Sequence, residues 1–150
     1  MQKTIDYATL TDKAVRYLAI REHSQHELRT KLRTTGAEAD IIDQVLGEMQ
    51  TAGWLSDERY TEHYIRSRMA KGQGPLRIRA ELTTRGIAAE LIETGLAVVE
   101  DDWEEQLATV AQRKFGSRTQ DRKEQARQAR FLTSRGFPES MIRRYLWDSP

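Results

Sequence analysis

Apolar residues recur along this chain at intervals of three and four, and nowhere alternate for long. Leu10, Ala14, Tyr17 and Leu18 share one face of a helix expected from about Thr9 to Arg21. Ser24-Gln25-His26-Glu27 then has the form of a capping box. In that motif the Ser oxygen accepts from an orphan N–H and the Glu reaches back to the Ser amide. A second helix carries Leu28 and Leu32 and stops at Gly36, which suits the left-handed conformation of a helix C-cap. Asp40 is expected to cap a third helix with Ile41, Ile42, Val45, Leu46 and Met49 on its stripe. Gly53 ends it, and Trp54 and Leu55 are placed to fold back on its last turn.

The plan then repeats. Gly36, Gly86 and Gly136 stand fifty residues apart, and their surroundings align: Leu28 with Ile78, Leu32 with Leu82 and Leu132, Ile42 with Ile92 and Ile142, Leu46 with Leu96 and Leu146. In the second unit Ser56 or Asp57 starts a helix with Tyr60, Tyr64, Ile65 and Met69. Lys71-Gly72-Gln73-Gly74-Pro75 breaks it, and Pro75 suits the first turn of the next helix. Leu91, Ile92, Leu96 and Val99 form the stripe after Gly86. In the third unit Trp103, Leu107, Val110, Ala111 and Phe115 mark the first helix. The second runs from about Asp121 to Arg135, and Pro138 opens the last, with Met141, Ile142, Tyr145 and Leu146. The expected fold is all-α: three tandem three-helix repeats, about nine helices, forming an elongated, curved array, with units 1–55, 56–101 and 102–150. In such arrays each unit buries its apolar face against the next and offers a long surface to macromolecules. Trp54 and Trp103 lie at unit junctions, where packing between repeats is the expected role.

Composition agrees with helix. The 150 residues include 3 Pro and 9 Gly, 38% are hydrophobic and 31% charged. No cysteine is present, which excludes disulfides and thiolate metal sites and fits a reducing, cytoplasmic setting. No apolar run approaches a membrane span, and Met1 to Tyr7 lacks the apolar stretch of a leader.

Net charge is +1, but it is segregated. Arg66 to Gly86 holds six bases (Arg66, Arg68, Lys71, Arg77, Arg79, Arg85) against Glu81 alone. Glu90 to Glu105 holds seven acids and no base, and Arg113 to Arg130 seven bases against Asp121 and Glu124. Single charge blocks usually solvate a helix face. Two basic blocks in equivalent parts of successive units favour a shared anionic partner.

Candidate chemistry is sparse. His23, His26 and His63 are the only histidines and form no metal pattern, so surface positions near a helix start are expected for the first two. No serine sits in a nucleophile elbow. The Lys71–Pro75 loop lacks a P-loop's Gly-Lys-Ser/Thr ending and follows a helix rather than a strand. No catalytic residue, cofactor or metal is therefore assigned, and an enzyme is not expected.

Gly53-Trp54-Leu55-Ser56-Asp57-Glu58-Arg59-Tyr60 resembles the "glycine, aromatic, leucine, Asp/Ser, Asp, x, Arg, aromatic" junction of the RecX family of recombination regulators. The stretch from Ser67 to Ile87 is similar to that family's most recognisable segment, and Ala19 to Leu32 to its opening motif. Lys114-Phe115-Gly116 and Phe131 to Phe137 agree more weakly. Gln73 departs from the pattern, since members often carry an aromatic or basic residue there. The resemblance implies binding to the RecA recombinase filament on single-stranded DNA, with inhibition of ATP hydrolysis and strand exchange, in recombination, DNA repair and the SOS response. A monomer with weak direct DNA binding is expected. The candidate contact bases are Lys71, Arg77, Arg79 and Arg85 in the middle unit, with Arg113, Lys114, Arg122, Lys123, Arg127 and Arg130 in the last. The alternatives are a helix-turn-helix-like DNA-binding module and a helical-repeat adaptor between proteins.

Overall fold

A computed structural model describes residues 5–148. Met1 to Thr4, which opened the stretch read above as lacking a leader, and the ends of the expected ranges 1–55 and 102–150 lie outside them. The described residues are helical with no strand. The first unit holds α1 (Tyr7–Ile20), α2 (Gln25–Arg33) and α3 (Ala39–Thr51). The second holds α4 (Asp57–Ala70), α5 (Pro75–Thr84) and α6 (Ala89–Val98). A 3-10 turn, Glu100–Asp102, leads into α7 (Trp103–Phe115), α8 (Arg122–Ser134) and α9 (Glu139–Arg143), which continues as a π-helical turn, Arg144–Asp148.

Local chemistry sets most boundaries. Asp6 caps α1 by accepting from the Thr9 N–H at 2.8 Å, which starts the helix two residues earlier than its apolar face suggested. Ser24 and Ser56 cap α2 and α4 in the same way. Two expected caps differ. Asp40 lies inside the first turn of α3, and Glu38 holds the cap position without a side-chain bond. Glu27 does not reach back to Ser24; it binds the Arg21 guanidinium at 2.7 and 3.0 Å, because a charged partner outcompetes one backbone amide.

The apolar stripes build two cores. Leu10, Ala14, Leu28, Leu32, Ile42, Val45, Leu46, Met49 and Leu55 form the first unit's core. The second and third units share one, which runs from Tyr60, Ile65, Ile78 and Leu82 through Ile92, Leu96 and Trp103 to Leu107, Leu132, Phe137 and Ile142. Trp103 is buried there as expected, but Trp54 is 44% exposed. Its backbone N–H folds back to the Met49 carbonyl while its ring stays at the surface. His23 also departs from expectation: at 1% exposure it is interior.

Neighbouring units dock by one repeated device. The turn ending each second helix meets the start of the preceding unit's second helix. In the third unit the Arg135 carbonyl accepts from the Gly74 N–H at 2.7 Å, and the Gly136 carbonyl from the Leu76 N–H at 2.9 Å. In the second, the Arg85 carbonyl accepts from the Ser24 hydroxyl at 3.5 Å. Gly86 and Gly136 have φ of +81° and +99°. A Cβ on Gly86 would stand 2.8 Å from His26 Cβ, and one on Gly136 2.7 Å from the Arg77 nitrogen. Glycine is thus required twice over, by conformation and by close approach. The first junction is further held by Asp57, which accepts from the Gln25 N–H at 2.7 Å, and by Arg59, which pairs with Glu22 at 2.5 Å.

Candidate partner-binding surface

The ten candidate bases fall into distinct environments. Arg77 pairs with Glu81 at 3.2 Å, and Arg79 holds Glu93 through two bonds of 2.7 and 3.1 Å. Arg127 holds Glu124 at 2.9 and 2.6 Å. These three are already satisfied within the chain. Glu93 and Glu124 are held below the ordinary carboxylate range chiefly by those arginine hydrogen bonds. Arg85 donates to the Tyr60 hydroxyl at 3.2 Å and lies over the Tyr64 ring, 5.0 Å from its centroid. Burial alone would ease off its proton, but the tyrosine contacts together outweigh that and raise its pKa. Lys114 rests 5.4 Å from the centre of Phe131. Lys71, Arg113, Arg122, Lys123 and Arg130 are exposed and make no side-chain hydrogen bond, ion pair or ring contact among the described residues.

Three of these ten fall into two clusters of cations and rings: Arg85 in one, Lys114 and Arg127 in the other. One lies in a cleft of about 670 Å³ between the first and second units, lined by Leu18, Arg21, Tyr60, Tyr64, Arg68 and Arg85 among others. Tyr64 is approached there by Arg68 at 4.9 Å and Arg85 at 5.0 Å from its centroid, and its hydroxyl donates to Glu81. Burial raises the Tyr64 pKa, and the neighbouring Glu81 carboxylate adds to the rise. Glu81 is itself held low: burial opposes this, but the bonds from Tyr64 and Arg77 prevail.

The second cluster sits where α7 ends against α8. Phe115 and Phe131 meet edge to face at 5.2 Å. Arg127 lies 5.1 Å from the Phe115 centroid and Arg135 5.1 Å from that of Phe131, which Lys114 also contacts. Arg135 was not among the sequence candidates, although it is the fifty-residue counterpart of Arg85; its signal lay in the repeat rather than in the charge block, which ended at Arg130. Phe115 was read as stripe and as part of the Lys114-Phe115-Gly116 resemblance, not as a ring that holds a cation. The acidic block runs from α6 through the 3-10 turn into the start of α7, where Glu104 and Glu105 in the first turn complement the helix dipole, as Arg113 and Lys114 do in the last. Among the described residues no group of three or more His, Asp or Glu is placed to hold a metal ion, and no helix is long and apolar enough to cross a membrane.

These features define a tandem three-helix-repeat protein whose exposed cations concentrate in the third unit. Models of the first, second and third three-helix domains of RecX match residues 12–49, 56–96 and 100–146 in turn. Two curated relatives bear the name regulatory protein RecX. The one from Pseudomonas putida (strain GB-1) is 48% identical over 134 residues, covering 89% of this chain and 86% of the relative. The one from Halorhodospira halophila is 41% identical over 133 residues, 88% and 83% of the two chains. The chain belongs to the RecX family of regulatory proteins. The crystal structure of RecX from Lactobacillus salivarius superposes with a TM-score of 0.80 at 23% identity over 91% of each chain. A second, titled regulatory protein RecX, gives 0.77 at 20% identity over 95% of this chain and 75% of that one. At these identities the two structures speak for the fold alone.

Proposed function

We propose that this chain is a non-catalytic, cytoplasmic regulator that binds the RecA recombinase filament on single-stranded DNA and inhibits its ATP hydrolysis and strand exchange, modulating recombination and DNA repair. The observation that carries the reading is the match to all three RecX domains in order along the chain. The physical account follows from the junctions. Units tied by backbone hydrogen bonds at the second junction, by side-chain bonds at the first and by glycines without room for a side chain at both move together rather than separately. Such a brace, laid across adjacent protomers, favours the one filament geometry that fits it and opposes the cyclic changes of ATP turnover. It does so only through its different affinity for the two geometries. The ten candidate bases supply the attraction to acidic protein surface or phosphate. Lys71, Arg113, Arg122, Lys123 and Arg130, which spend no donors inside the chain, are its strongest members.

The test is recombinase ATPase on single-stranded DNA with this protein titrated in. Hydrolysis falls with dose if the reading holds; unchanged hydrolysis at saturating protein overturns it. A second measurement concerns Arg77 and Arg79. Exposed ion pairs contribute about 0–1 kcal/mol, so Arg77→Gln with Arg79→Gln should leave the thermal midpoint nearly unmoved. Weaker inhibition by this variant places the middle unit in the contact; unchanged potency removes it.

A further inference from the structure

Beside the second junction lies an apolar notch that docking of the units does not require. Leu76, Leu96, Ala97, Trp103 and Pro138 wall a hollow of about 250 Å³. Leu76 stands in the first turn of α5, Trp103 opens α7 and Pro138 precedes α9, all against the end of α6. Leu96 and Trp103 belong to the shared core, but Leu76 is 46% exposed. The repeat supplies an internal control. Fifty residues earlier, Gln25, His26 and Ala88 take the places of Pro75, Leu76 and Pro138. The first junction docks with those residues in place, Gly86 packed against His26. An exposed leucine at this spot is thus no condition of docking, and leaving it in water forgoes the gain of burial.

The rim of the notch is acidic. Glu93, Leu96, Ala97 and Glu100 line it at i, i+3, i+4 and i+7, one face of α6 continued into the 3-10 turn. The one base in the lining, Arg79, is held by Glu93 through two bonds. Glu100, Asp101 and Asp102 are exposed and make no side-chain hydrogen bond or ion pair among the described residues. α6 ends here with no base in its last turn, so its carbonyl end adds to the negative field. Gln50 is the first unit's counterpart of Glu100, so the charge, like the leucine, distinguishes the second junction.

Size and charge together describe an occupant. The hollow equals about eight waters in volume, below the roughly 300–1,000 Å³ of a small-molecule site. It suits one large apolar side chain borne on another polypeptide rather than a whole free ligand. The free carboxylates favour bases on either side of that side chain and repel acids. We propose that the notch at Leu76, Ala97 and Pro138 is a docking site for a protein segment that presents one large apolar side chain flanked by lysines or arginines. The site goes beyond the filament reading and does not depend on it. Of the ten candidate bases only Arg79 touches it, and Glu93 holds the donors of that residue.

The probe is a short fluorescent peptide with one leucine between two pairs of lysines. Full-length protein is titrated in and anisotropy followed from about 0.01 to 0.15 M NaCl. Serine in place of the probe's leucine should weaken binding about tenfold, the value of burying such a side chain. Glutamates in place of its lysines should abolish binding. Leu76→His and Glu100→Gln each install the residue that the first unit carries at the same place, so the thermal midpoint should hardly move. Leu76→His should weaken the lysine–leucine probe about fivefold. Glu100→Gln with Asp101→Asn should weaken it about threefold and flatten the salt dependence. Ala97→Trp should fill the notch and block the probe. Asp12→Asn with Glu48→Gln removes two exposed first-unit acids and should change little. No binding by the unaltered protein overturns the proposal, as does equal binding of the serine peptide or undiminished binding by Ala97→Trp. Self-association in sedimentation equilibrium that Ala97→Trp abolishes would assign the notch to a second copy of the chain and overturn it too. In each case the ATPase titration still reports separately on recombinase inhibition.

Discussion

His23 shows how much one interior polar residue can impose. Its Nδ1 lies 3.0 Å from the Arg21 carbonyl and its Nε2 2.7 Å from Lys31 Nζ. A carbonyl only accepts and an ammonium only donates, so Nδ1 carries the proton and Nε2 offers its lone pair: the ring is neutral. Burial lowers its pKa first. The bond to Arg21 works the other way, but the charges of Arg21 and Lys31 lower it further. A base whose folded pKa is depressed binds its proton more readily when unfolded. Its contribution is therefore complete above the unfolded value of about 6.5 and drains away as pH falls from there toward the folded pKa. Thermal midpoints between about pH 7.5 and 5 should fall more steeply for the natural chain than for His23→Gln, which has nothing to titrate. Parallel curves would mean that His23 does not govern acid stability.

At the scale of the element, the repeated turn carries a contrast that one substitution can measure. Gly36, Gly86 and Gly136 all adopt positive φ, yet nothing lies within 4 Å of a Cβ built on Gly36, whereas Gly136 is pressed against Arg77 backbone. Among the described residues no unit precedes the first for this turn to meet. Ala37 stands where Ile87 and Phe137 are buried, at 5% and 1% exposure. Gly36→Ala should cost only the backbone term, about 1–2 kcal/mol. Gly136→Ala adds a clash with main chain and should cost more, and Phe137→Ala should cost about 3–5 kcal/mol by emptying a packed site. Denaturant midpoints of the three variants check the order, and equal losses at Gly36 and Gly136 would contradict the docking scheme. The same turn marks what the residues alone disclose. Glycines at helix ends, serine caps and apolar stripes act within a few residues, so their spacing announces them. Asp57 binding the Gln25 amide, Glu27 turning to Arg21 and Trp54 left at the surface depend on which segments meet, and short-range pattern carries no record of that. The basic residues were legible as a block. Their division into those spent on Glu81, Glu93 and Glu124, those resting on rings and those with neither was not, because it is set by helix packing.

For the molecule as a whole, the proposed inhibition depends on stiffness more than on any single contact. The second and third units share a core, but the first has its own, so the array's weakest mechanical point is the junction between α1–α3 and the rest. There the Asp57–Gln25 bond, the Arg59–Glu22 pair and the Ser24–Arg85 contact hold two bodies with separate cores. Asp57→Ala with Arg59→Ala loosens that joint while leaving both cores and every candidate base in place. A flexible array can follow the filament through both of its geometries, so its affinities for them converge, and a ligand with equal affinity for two states shifts neither. The variant should therefore still bind the recombinase filament in a sedimentation assay, yet inhibit ATP hydrolysis less at equal occupancy. Full inhibition by a protein with a demonstrably loosened junction would show that coverage of the filament, rather than rigidity, stops turnover.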